Sequence, residues 1–135
     1  MGQLIYIIDT NVIADLIKKD TDVIQQIRHH QADVLCLCQP VDYEVRRGLL
    51  HKQAQRQIRD YETHIRPQFQ WVALTNDDWQ QAAQLWAQTH RTGRQFADTD
   101  LLIAAIAKRL NGIVVTADDD FDALSIRREN WRKFL

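Results

Sequence analysis

No apolar run in the sequence approaches membrane-spanning length. Its beginning also lacks the basic segment, short apolar core and small-residue cleavage site of a secretory leader. Neither a membrane span nor export is expected, and the expected location is cytoplasmic. Proline and glycine are scarce, at two and four residues, which leaves little room for a linker and favours one domain over residues 1–135. The two cysteines form Cys36-Leu37-Cys38, two positions apart along a strand whose extended backbone does not let them bridge one another comfortably. With no CxxC pair, and with five histidines at no metal spacing, a zinc centre is not expected. An excess of charge is missing too: the net charge of −1 supplies no global basic field, so contact with a polyanion requires a local basic surface. Internal repeats and low-complexity segments are absent.

What is present is a 45% hydrophobic content arranged in alternating periods. Leu4-Ile5-Tyr6-Ile7-Ile8 is an unbroken, β-branched run ending at Asp9, the pattern of a strand buried on both faces with an acid at its exit. Val12, Ile13, Leu16 and Ile17, then Val23, Ile24 and Ile27, predict two short helices separated by Lys18-Lys19-Asp20-Thr21. Asp33–Cys38 predicts a second strand, and Gln39-Pro40 a helix start. One long helical tract is expected from about Val41 towards Ile65. Its second half, from His51 to Arg66, carries few apolar anchors (Ala54, Ile58, Tyr61, Ile65) and should project or line a partner surface.

Phe69–Leu74 predicts a third strand. The next helix is capped by Thr75 or Asn76 and favoured by Asp77 and Asp78, with a buried stripe of Trp79, Ala82, Ala83, Leu85 and Trp86, and it yields near Thr92-Gly93. A helix from about Asp98 holds Leu101-Leu102-Ile103-Ala104-Ala105-Ile106-Ala107, apolar almost all round, and belongs deep in the domain. Asn111-Gly112 ends it, Ile113–Thr116 forms a fourth strand, and a weak last strand falls at Leu124–Ile126. The alternation gives a three-layer α/β/α fold around a central, mostly parallel sheet.

In such a sheet, strand exits and the helix starts that follow them share one rim. Asp9 ends the first strand, Glu44 lies in the first turns after the second, Asp98 and Asp100 open the central helix, and Asp118 and Asp120 follow the fourth strand. Each has a plain structural role when taken singly. Asp9 and Asp98 can cap helices, Asp100 can serve the helix dipole, and Glu44 can be a solvated face residue. Their shared rim is what none of those roles explains. Gathered carboxylates raise one another's proton affinity, and a divalent cation resolves the repulsion; oxygen ligands alone favour Mg2+ or Mn2+. Such a centre suits phosphodiester hydrolysis.

Four blocks, in order, carry a resemblance: Asp9-Thr10-Asn11-Val12, Glu44 with Gly48, Asp100-Leu101-Leu102-Ile103-Ala104-Ala105, and Val115-Thr116-Ala117-Asp118-Asp119-Asp120-Phe121. Together they resemble a PIN domain, and more narrowly the VapC-type toxins of bacterial toxin–antitoxin pairs, over nearly the whole chain. The resemblance implies a metal-dependent endoribonuclease in which Asp9, Glu44, Asp100 and Asp118 are the catalytic, metal-holding quartet, with Asp9 and Asp100 as direct ligands of Mg2+ or Mn2+. Thr10, Asn11 and Thr116 would orient those carboxylates, and Asp120 would assist. Asp98 is an additional acid, so that either Asp98 or Asp100 can face the ion. The resemblance further implies a homodimer and an antitoxin partner.

RNA would also need cations beside the acids. Arg46, Arg47 and Arg94 are the first candidates, followed by Lys52, Arg56, Arg59 and Arg91, while Tyr43 and the tryptophans offer stacking surfaces. For Trp79 and Trp86, helical spacing points to core or dimer contacts instead. The competing function is a catalytically silent PIN-like module that binds RNA or protein. Aspartyl-phosphate folds fit poorly, because a dehalogenase-type enzyme wants a second Asp where Asn11 stands, and a receiver wants a lysine after a late strand, where Ala117-Asp118 follows instead.

Overall fold

A computed structural model of the chain describes residues 2–132. Its sheet has five parallel strands in the order β3-β2-β1-β4-β5, formed by β1 (Ile5–Ile8), β2 (Val34–Cys38), β3 (Gln70–Val72), β4 (Ile113–Val115) and β5 (Arg128–Glu129). The helices are α1 (Thr10–Ile17), α2 (Thr21–His29), α3 (Gln39–His51), α4 (Gln55–Asp60), α5 (Asn76–Arg91) and α6 (Asp98–Leu110). Among the described residues no helix is long and apolar enough to cross a membrane.

β1 is central because its side chains are apolar on both faces: Ile7 and Ile8 are fully buried, and Ile7 pairs with Cys36 on one side and Val114 on the other. Strand order departs in opposite directions from β1, towards β2 and β3 on one side and β4 and β5 on the other. The switch point therefore lies between β1 and β4, where open α/β sheets place their sites. Asp9 and Thr116 are the residues that leave these two strands. α6 is the core helix that its composition implies, buried from Leu101 through Ala107. It ends on Asn111 in the left-handed conformation at φ 52°. A Cβ on Gly112 behind it would stand 2.6 Å from Ile7 Cδ1 and 3.3 Å from the Ile5 carbonyl oxygen, so any larger residue there would displace the buried Ile7 side chain. Cys36 and Cys38 are free and buried, and burial pushes the Cys38 thiol up to about 12.

Four expectations are corrected. The tract from Val41 to Ile65 is not one helix: α3 stops at His51, and Gln53 takes a left-handed turn at φ 55°. Nor does its second half project. Tyr61 and Ile65, one turn apart in a π-helical segment (Tyr61–Ile65), are both buried, and Ala54 and Ile58 pack against the core as well, so the few anchors fold the polar stretch back. Trp79 and Trp86 are not core residues but stand 56% and 47% exposed, and Ala83 is exposed with them; Ala82 and Leu85 alone of that stripe are buried. Finally, Leu124 and Ile126 are not a strand. A 3-10 helix (Asp119–Leu124) and a left-handed Ser125 bury both side chains, and the edge strand forms only at Arg128–Glu129.

Candidate metal centre

Asp9 is placed by two local events. β1 ends in pairing with β4, its last bond running from Asp9 N–H to the Val115 carbonyl at 3.0 Å. The chain then turns at once into α1, with Asp9 as the cap. Its Oδ1 accepts from Thr10 N–H at 2.7 Å, while its Oδ2 accepts from the Thr116 hydroxyl at 2.7 Å and from the Asn11 amide at 3.2 Å. Capping and site placement are therefore the same geometry. Asn11 reaches across to Thr116 Oγ1 at 3.0 Å and accepts from Ala117 N–H at 3.2 Å, which ties the exits of β1 and β4 together. Asp9 is 5% exposed. Burial pushes its carboxyl above the ordinary range against those hydrogen bonds, and Glu44 and Asp118 push the same way.

Glu44, on the second turn of α3, is gripped from two sides. The Thr10 hydroxyl donates to its Oε1 at 2.6 Å, and the Thr99 hydroxyl donates to its Oε2 at 3.0 Å. Arg47 reaches the same Oε2 at 3.4 Å. Thr99 immediately precedes Asp100, so this bond fixes α3 against the first turn of α6. Thr99 is the contact of the candidate site that sequence reasoning missed. It has no periodic signature, and only the crossing of the two helices gives it a role.

Asp100 is the most unusual group of the rim. Among the described residues it accepts no hydrogen bond and forms no ion pair. Burial, then the charges of Asp9, Glu44, Asp118 and Asp120, drive its carboxyl up to about 7. Asp118 receives Asp120 N–H on Oδ1 at 2.9 Å and donates its own N–H to Thr116 Oγ1 at 3.0 Å. Asp118, Asp119 and Asp120 each bring a carboxylate oxygen within 4.8 Å of the others. The charges of Asp9, Glu44, Asp118 and Asp120 all act on Asp100, while among the described residues only Asp118, Asp119 and Asp120 bring three carboxylates that close together.

Asp98 parts from this group. It is the first residue of α6 and not its cap, because Ala97 occupies the cap position and no side chain caps the helix there. Asp98 lines a cleft with Trp79 and Leu102, and it is not among the charges that raise Asp100. Of the arginines, Arg46 is spent inside the fold, bonded through Nε to both Asp42 oxygens at 3.0 and 3.1 Å. Arg47 and Arg94 stay beside the rim, Arg94 at 3.8 Å from Asp120.

The sequence profile of the PIN domain family matches residues 6–126. No curated protein matches the sequence. Among solved structures, the DNA-bound VapBC from Salmonella typhimurium superposes with a TM-score of 0.82 at 21% identity, covering 96% of this chain and 100% of that one. A toxin–antitoxin complex from Klebsiella pneumoniae gives 0.74 at 16% identity, covering 96% and 99%. VapC20 of Mycobacterium tuberculosis, a sarcin-ricin loop cleaving toxin, gives 0.66 at 18% identity over 90% and 95%.

Proposed function

This chain belongs to the PIN domain family, and from that premise we propose that it is a metal-dependent endoribonuclease, the toxin of a type II toxin–antitoxin pair. The observation that carries the proposal is the lack of any basic partner for Asp9, Asp100 and Asp118 among the described residues, although burial and mutual repulsion raise the first two. A set of oxygen donors under that strain fits a hard dication, Mg2+ or Mn2+, better than any softer ion. Asp9 and Asp100 would hold it, with Glu44 and Asp118 completing the site. When bound, the ion supplies charge neutralisation, an acidified water and stabilisation of the departing oxygen.

The chain's own contribution is positioning. Thr116, Asn11 and the Thr10 amide leave Asp9 one orientation, and Thr10 with Thr99 spans both Glu44 oxygens. Such supporting bonds set ligand direction and basicity. Arg47 and Arg94, beside Glu44 and Asp120, would meet the phosphate backbone of the RNA. The partner is a cognate antitoxin, as in the Klebsiella complex, the working form is a homodimer, and the place of action is the cytoplasm.

Incubating pure protein with structured RNAs, with and without Mg2+, tests this reading. Cleavage that needs the ion and vanishes in Asp9→Asn and Asp100→Asn is expected. RNA binding without cleavage under every condition would favour the catalytically silent module instead. In cells, growth arrest on expression should disappear in Asp9→Ala and be relieved by the protein of the neighbouring reading frame.

A further inference from the structure

Residues 127–132 form a strap along β4. Its strand, β5, is only two residues long, below the usual range, so side chains must anchor it. Trp131 is the apolar anchor, buried and stacked on the His30 ring with centres 4.3 Å apart. Arg127 donates to the Asn111 carbonyl at 3.2 Å, at the far end of α6. The other two arginines are aimed differently. Arg132 donates through Nε and Nη2 to the two oxygens of Asp15, at 2.8 and 3.2 Å, and Asp15 lies on α1, which Asp9 caps. Arg128 donates in the same way to the two oxygens of Asp122, both at 3.1 Å, and Asp122 lies on the 3-10 helix that Asp118 caps. Each arginine thus holds a short helix that begins at a rim acid. Between them the Glu129 carbonyl accepts Thr116 N–H at 2.9 Å, while Asp9 N–H bonds to Val115 on the β1 side. The exit of β4 is therefore held from both neighbouring strands, and the Thr116 hydroxyl that it carries orients Asp9.

Ion pairs open to water add little to global stability, and Arg132 is 46% and Asp122 60% exposed in their side chains. Their effect is local: a bidentate pair fixes direction as well as distance. A small, hard dication such as Mg2+ demands near-ideal ligand placement, so the spacing of the helices that start at Asp9 and Asp118 bears directly on its binding. Resting on the metal-centre reading above, we propose that the strap is a brace for that centre, with Arg128 and Arg132 as positioning residues that set Asp118 and Asp9 relative to one another. Neither arginine touches the ion. Their role is opposite in sign to that of their charge, since a nearby cation by itself weakens the attraction of the rim for a metal.

The test is a titration of the full chain with Mn2+, free ion being counted by its electron paramagnetic resonance signal, at a temperature where circular dichroism shows every variant folded. Arg128→Gln and Arg132→Gln should each raise the Kd for Mn2+ by roughly tenfold, the scale of losing a group that supports a metal ligand. Charge alone predicts the reverse, because neutralising an arginine leaves the rim more negative and draws the ion more strongly. Arg127→Gln, on the same strap but tied to the far end of α6, should leave the Kd unchanged. Unchanged or tighter binding in either the Arg128 or the Arg132 variant would overturn the proposal. So would equal weakening by Arg127→Gln, since the strap would then be a general prop of the fold. Failure of wild type to bind Mn2+ overturns the metal-centre reading and this one together. Mn2+ binding by a wild type that cuts no RNA overturns the ribonuclease reading and leaves the brace standing.

Discussion

Asp78 and Asp9 are both buried carboxylates, 1% and 5% exposed, and the chain treats them in opposite ways. Asp78 completes a capping box with Thr75 and is clamped by Arg109, whose Nε and Nη2 reach its two oxygens at 2.9 and 3.0 Å. Burial raises its carboxyl, but Arg109 and Thr75 together outweigh that and hold it below the ordinary range. Asp42 also has a basic partner, with Arg46 on both oxygens and the Tyr61 hydroxyl at 2.6 Å. Asp9 receives only neutral donors, and Asp100 beside it receives none among the described residues. Where a carboxylate serves the fold, the sequence provides its countercharge. On the rim, Glu44 lies 3.4 Å from Arg47 and Asp120 3.8 Å from Arg94, but Asp9 and Asp100 have no such partner among the described residues, and a bound ion would supply that charge.

The sharpest way to break this contrast is to remove a rim acid without changing its shape. Asp100→Asn should lower RNA cleavage by about a hundredfold or more, read as single-turnover rate at saturating Mg2+, with Asp9→Asn comparable. Retained cleavage in either would mean that the unpaired charge has no role in the chemistry.

The structural acid should show the reverse pattern. Asp78→Ala strands the Arg109 guanidinium and opens the α5 cap, and a cost of about 3 kcal/mol is expected in urea unfolding, reduced from a fully buried pair because Arg109 is partly exposed. Cleavage per folded molecule should be unchanged. Because the folded carboxyl is depressed, its stabilisation is present above the unfolded carboxylate range and is lost as pH falls through the folded value. The wild-type-minus-mutant difference should therefore shrink in acid.

Stability of the metal-free protein should move the other way at the rim. Asp100 is raised to about 7, so the folded state takes up a proton as pH falls through that value, and the repulsion that weakens the fold at higher pH is relieved. Asp100→Asn removes the repulsion outright. It should raise Tm by roughly 3–5 °C above neutral pH, an effect that declines as pH falls below about 7 and is gone only in the unfolded carboxylate range, at about pH 4. Mg2+ should raise the Tm of wild type and not of the variant. A rim variant that is less stable without metal would place Asp100 among the structural acids.

The two regions also differ in how far they could be read from residues alone. The rim was legible because each acid sits at the end of a strongly periodic segment: Asp9 after the Leu4–Ile8 run, Asp100 before seven buried positions, Asp118 after β4. Topology then did the rest. The Asp42–Tyr61–Arg46 cluster was not legible, since it depends on a chain reversal at Gln53 that no glycine or proline announces and on a π-helical turn. Trp79 and Trp86 misled for a related reason. Spacing identifies a face of α5 but cannot say whether anything covers it, and here only Ala82 and Leu85 meet the core.

The smallest expected effect concerns that hidden cluster. Tyr61 is fully buried and donates to Asp42 Oδ1, while Arg46 lies 5.6 Å from its ring centre and also reaches Glu62 at 3.5 Å. Burial and the bond to Asp42 hold the phenol protonated, so it acts as a donor throughout the accessible pH range. Tyr61→Phe keeps the packing and deletes one donor to a carboxylate that still has Arg46 on both oxygens, so a loss of about 1 kcal/mol is expected. Because Asp42 lies two residues before Glu44 on α3, cleavage should be measured alongside. An unchanged rate with reduced stability would confine this cluster to the fold. A rate loss larger than the stability loss would show that the strut beneath α3 also sets the Glu44 position, and the division between structural and rim acids would then be a matter of degree.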